Sequence, residues 1–74
     1  MTDNEMKELY TIVIKNVASL VQDYDPLAVA GVMMAQSLSI YRSSLTEDDY
    51  NSLVESILAR KDNVKTFNNR GMLH

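Results

Sequence analysis

The chain has 74 residues, 46% hydrophobic and 23% charged, with a formal net charge of −3, two glycines, one proline, and neither cysteine nor tryptophan. A chain of this length makes one small domain and buries only about 60% of the surface its unfolded form exposes, so its core is marginal. Disulfides and thiolate metal sites are excluded, and the only imidazole is that of the last residue, His74, so the four ligands of a His/Cys zinc site are not there.

Helix packing and oligomerisation remain as routes to stability. The apolar content is that of a folded protein. Scarce glycine and proline favour long helices over short strands with tight turns. The most apolar stretch, residues 27–35, is far shorter than the roughly 18 residues of a membrane span. The opening Met-Thr-Asp-Asn-Glu is acidic and lacks the apolar segment of a secretory signal, so the expected setting is cytoplasmic.

A first helix is expected over about residues 3–22. Thr2 and Glu5 stand in the relation of a capping box, with Met1 and Met6 as its staple. Apolar residues at 6, 9, 10, 13, 17, 20 and 24 form a heptad-like stripe, widened by Ile14 and Val21. Lys7, Glu8, Thr11, Lys15, Ser19 and Gln22 make the wet face, with Ile12 exposed among them. The break falls at Asp23-Tyr24-Asp25-Pro26, where Asp25 suits the N-cap and Pro26 the first helical position.

A second helix should then run over 26–42. After Ser43-Ser44-Leu45, Thr46 caps a third helix over 47–63. Glu47, Asp48 and Asp49 lie in its first turn, where the helix dipole favours negative charge. Leu45 and Tyr50 take its staple positions. Tyr50, Leu53, Val54, Ile57, Leu58 and Val64 form its apolar stripe. The fold class is therefore all-α, a three-helix bundle with short loops over residues 1–63, followed by a flexible basic C-terminal tail at 64–74.

The second helix carries two apolar faces. At about 100° per residue, Leu27, Met34, Leu38, Tyr41 and Leu45 group together, and Val29, Val32, Met33, Gln36 and Ile40 fall opposite. A helix apolar all round is buried all round, and two short helices do not readily wrap a third. The simplest completion is a second copy of the chain, so the expected partner is the chain itself, as a homodimer or higher oligomer. Val29, Val32, Met33, Gln36 and Ile40 are its candidate interface. Ala28, Ala30, Gly31 and Ala35 would let backbones approach closely. The alternative is a monomer whose second face is covered by the first helix and the tail. Met33 and Met34 suit either a core or a groove for varied partners.

No catalytic constellation stands out, and no cofactor, phosphate loop or calcium loop is expected; the chain reads as a non-enzyme. Asp23 and Asp25 are read as a solvated residue and a cap. Nucleic-acid binding through the helices is disfavoured, because Glu47, Asp48 and Asp49 would face phosphate at the start of a recognition helix.

Charge is unevenly placed, however. Residues 1–59 hold three basic and nine acidic side chains, residues 60–74 four basic and one acidic. The tail adds Val64, Phe67, Met72 and Leu73 to that charge. Lys65, Phe67, Arg70, Met72 and Leu73 are thus candidate contacts to a partner, to the acidic body of another subunit, or to nucleic acid; the alternative is a solvated tail.

The segments MKELYTIVIKNVASLVQDYD, VAGVMMAQSLSIYRSSL and VKTFNNRGMLH resemble small proteins encoded by marine tailed phages, cyanophages in particular. The resemblance implies an origin, and with it a host-cell cytoplasm; it attaches no activity and no functional residue. The expected function is a small helical interaction protein acting as a homo-oligomer, in the manner of a phage accessory factor that binds a host or virion protein. The alternatives are a purely structural assembly and nucleic-acid binding through the tail.

Overall fold

The computed structural model describes residues 1–66, and these are helical almost throughout. Helix α1 spans Asp3–Asp23, α2 Pro26–Ser44 and α3 Glu47–Ala59, followed by a single 3₁₀ turn, Lys61–Asn63. No strand occurs among the described residues. The three-helix, all-α class expected from the apolar periodicity is the class observed. Of the tail residues named above, Phe67, Arg70, Met72 and Leu73 lie outside the described residues.

Local chemistry accounts for every helix start. The Thr2 hydroxyl accepts from the Glu5 backbone N–H at 3.1 Å, and the Glu5 carboxylate accepts from the Thr2 N–H at 3.1 Å, which closes the capping box. Asp25 accepts from the Leu27 N–H at 3.0 Å, with Pro26 at the first helical position. The Thr46 hydroxyl accepts from the Asp49 N–H at 3.2 Å. Met1 is mostly exposed, so the staple expected at the α1 start buries little.

Two boundaries differ from expectation. α2 continues to Ser44, where the Ser43 hydroxyl donates back to the Ser39 carbonyl at 2.9 Å. α3 stops at Ala59 instead of reaching 63. The Arg60 N–H bonds to the Ile57 and Leu58 carbonyls, and the chain tightens into the 3₁₀ turn. Asp62 and Asn63 are weak helix formers, and Val64 is exposed, so no packing offsets their preference for turns.

The helices meet in sequence, α1 against α2 and α2 against α3, and among the described residues α1 does not come close to α3. Among the described residues Val29 is the one buried hydrophobic residue, 8% exposed. Half-buried residues fall into two groups. Ile14, Val17, Ala18 and Val21 of α1 gather near the first turn with Pro26. Leu38 and Tyr41 of α2 gather with Leu45, Tyr50, Leu53 and Val54 near the second. The α1 stripe is thereby corrected. The packed side is its Ile14/Val21 flank, while Met6, Leu9, Tyr10, Val13, Leu20 and Tyr24 stay exposed.

Candidate functional site

The two faces of α2 are each covered over half their length. The Leu38/Tyr41/Leu45 half of one face meets α3, where the Arg42 guanidinium also sits 5.2 Å from the centre of the Tyr50 ring. The N-terminal part of that face, Leu27 and Met34, is exposed. On the opposite face, Val29 is covered beside α1, whereas Val32 is 58% and Ile40 66% exposed.

The reason lies in how far α1 and α2 run together. Were they a full-length antiparallel hairpin about Tyr24-Asp25, Val13 would lie beside Gln36 and Leu9 beside Ile40. All four are exposed. The helices therefore share a packed zone only near the turn, and beyond it they part.

That parting leaves an apolar groove of about 330 Å³ lined by Leu20, Tyr24, Ala28, Val29, Val32, Met33 and Gln36. α1 provides one wall through Leu20, and Tyr24 follows at its C-cap. α2 provides the floor. Four of the five candidate interface residues, Val29, Val32, Met33 and Gln36, line this groove. Val29 is its buried base, and Ile40 continues the same face one turn beyond Gln36.

Sequence reasoning missed the contribution of Leu20 and Tyr24, and placed Ala28 there only as a small residue that lets backbones approach. The signal was present, since Leu20 and Tyr24 belong to the apolar positions of α1, but they were assigned to packing rather than to an open wall. The expected use of Gly31 is also not seen within the chain: a methyl group placed on it would meet nothing within 4 Å. Gly31 lies on the side of α2 turned away from the groove.

The groove offers shape and apolar surface, with the Gln36 amide and the Tyr24 hydroxyl as its only side-chain polar groups. No His, Cys, Asp or Glu lines it. Such a lining suits the burial of another apolar surface, with one amide to fix register. A shallower depression involves α1 alone, at Met6, Lys7, Tyr10 and Thr11.

Elsewhere the Glu5 carboxyl is displaced from its ordinary value. The Thr2 backbone N–H and hydroxyl donate to it and hold its pKa below the usual glutamate range. Lys65 is exposed, and the only close ion pair among the described residues is Lys61–Asp62 at 3.3 Å, on the surface. No three metal-ligating side chains group together among the described residues. No described helix is long and apolar enough to cross a membrane. Known protein families, curated proteins and solved structures contain no match to this chain.

Proposed function

We propose that the chain is a small helical interaction protein that works as a homo-oligomer, with the Val29/Val32/Met33/Gln36/Ile40 face of α2 as its self-association surface. The observation that carries this reading is the mismatch between apolar content and burial. Nearly half the residues are hydrophobic, yet the described chain buries one of them. A monomeric domain rarely leaves so much apolar surface in contiguous patches, and large patches of this kind mark interaction sites.

Its setting, on the resemblance of its segments, is that of a phage accessory protein in the host cell, and a host or virion protein is its further partner. No convergent set of polar groups supports an enzymatic reading. Light scattering on a sizing column, over a concentration series, tests the proposal. A mass of two chains or more held into the micromolar range is expected. A monomer at all concentrations overturns the homo-oligomer.

A further inference from the structure

The groove has a defined direction, and the residues beyond it have a matching one. Val29, Val32, Gln36, Ile40 and Ser43 sit at offsets of −7, −4, 0, +4 and +7 from Gln36. These are one face of a helix, since three- and four-residue steps return to the same side. The pattern is balanced about Gln36. Val32 and Ile40 are its two exposed aliphatic flanks, and Gln36 is the polar residue between them.

Resting on the self-association reading above, we propose that two copies pair α2 against α2 antiparallel, about a two-fold axis passing beside Gln36. Each copy's Ile40 then enters the groove of the other, against Val32 and beside Ala28 one turn away. The contact is isologous: Val32 meets the partner's Ile40, Ile40 meets the partner's Val32, and Gln36 meets the partner's Gln36. Each amide carries a donor and an acceptor, so the two satisfy one another across the axis and penalise a shifted register.

Two observations favour a second copy as the occupant. The first is area. The chain exposes 6678 Å², whereas a compact monomer of its 8.4 kDa exposes about 4,600 Å². Allowing residues 67–74 the full surface of an unfolded chain, about 1,400 Å², leaves residues 1–66 with about 5,300 Å², against about 4,200 Å² for a compact fold of that size, an excess of roughly 1,000 Å². A stable interface takes about 800 Å² from each partner, so the excess is of the size that one isologous contact removes.

The second is fit. The groove lies at the N-terminal half of α2, and the uncovered aliphatic residue on the same face, Ile40, lies at the C-terminal half. Only an antiparallel partner brings the one to the other, and it does so twice.

The native chain has no cysteine, so introduced thiols report without background. Single variants Gln36→Cys, Val32→Cys and Ile40→Cys of the full chain are oxidised alone and in pairwise mixtures, with the mass of each measured under reduction first. Disulfides form where Cα atoms approach within about 4.4–6.8 Å. Gln36→Cys should cross-link to itself. The mixture of Val32→Cys with Ile40→Cys should give the mixed dimer at least tenfold faster than either variant gives its own.

Self-cross-linking of Val32→Cys and of Ile40→Cys, in preference to the mixed pair, overturns the antiparallel axis in favour of a parallel one. A dimeric mass with no cross-link at any of the three positions places the interface elsewhere and also overturns the proposal. Both outcomes leave self-association standing. A monomeric mass for the native chain and all reduced variants overturns self-association itself, and with it this pairing; the groove would then belong to the C-terminal segment or to another protein.

Discussion

The two corners of this molecule are built alike and behave differently. α1 joins α2 through Tyr24-Asp25, and α2 joins α3 through Leu45-Thr46, each a two-residue connection ending in a side-chain cap. At the second corner Leu38, Tyr41, Tyr50, Leu53 and Val54 are half-buried beside the turn with Leu45 between them, while Met34, Ile57 and Leu58 farther along are exposed. At the first, packing is confined to the residues next to the turn. Leu20, Tyr24, Val32 and Ile40 are left open around Val29. A short connection makes two helices neighbours, but it does not decide how far along their length they stay together. The second corner closes over the residues beside its turn; the first leaves an apolar groove there, and that groove is a surface.

The largest test of that contrast is a charge on the open corner. Val32→Glu puts a carboxylate in the groove, where pairing would bury it without a partner. The expected result is loss of the oligomer in light scattering. Helical circular dichroism should fall with it, because the isolated chain has almost no core of its own. A well-folded variant of unchanged mass would show that the open corner is not where copies meet.

A truncation at the closed corner should behave in the opposite way. Leu53→Ala removes a half-buried side chain between α2 and α3, and should lower stability by about 1–2 kcal/mol in urea unfolding, less than a fully buried leucine. The mass of the folded protein should not change. A change of oligomeric state would mean that the closed corner also serves assembly.

Gly31→Ala sharpens the picture from the other side of α2. Nothing within the chain opposes the added methyl group, and mid-helix glycine costs up to about 1 kcal/mol relative to alanine. A rise in melting temperature with unchanged mass is expected. Destabilisation or dissociation would place a close backbone approach at Gly31, on the face opposite Gln36, and would argue against the pairing proposed here.

The smallest effect is in the acid range. The Glu5 carboxyl is held below its ordinary pKa by the Thr2 N–H and hydroxyl. Its contribution to holding the first turn of α1 is therefore present above the unfolded glutamate pKa and is lost as pH falls through the lower, folded value. Followed by NMR, the Glu5 carboxyl should titrate below an unstructured glutamate, and the first-turn amides of α1 should lose exchange protection over the same interval. Glu5→Gln should remove the pH dependence, since its amide oxygen still accepts but does not titrate in that range. A normal Glu5 titration would break the capping box as an explanation for where α1 begins.

The helices themselves were legible residue by residue. Thr2 with Glu5, Asp25 with Pro26, and Thr46 each specify a start through contacts spanning two or three residues, and all of these contacts form. Local hydrogen bonds of this kind are encoded by neighbours in the chain, so no tertiary information is needed to read them. The end of α3 was less legible. Helix stops depend on whether packing holds the last turn, and Asp62 and Asn63 have nothing to pack against.

The double apolar character of α2 was likewise present in its periodicity, as was the placement of Val29, Val32, Met33 and Gln36 on one face. Periodicity reports which residues share a face, because it follows from 3.6 residues per turn. It does not report the crossing of two helices. That crossing depends on which ridges interlock, and here it set the packed side of α1 on Ile14, Val17, Ala18 and Val21. The same stripe of α1 was compatible with a closed hairpin or an open one. Packing near the turn, and the divergence beyond it, turned Leu20 and Tyr24 from core residues into the wall of a groove.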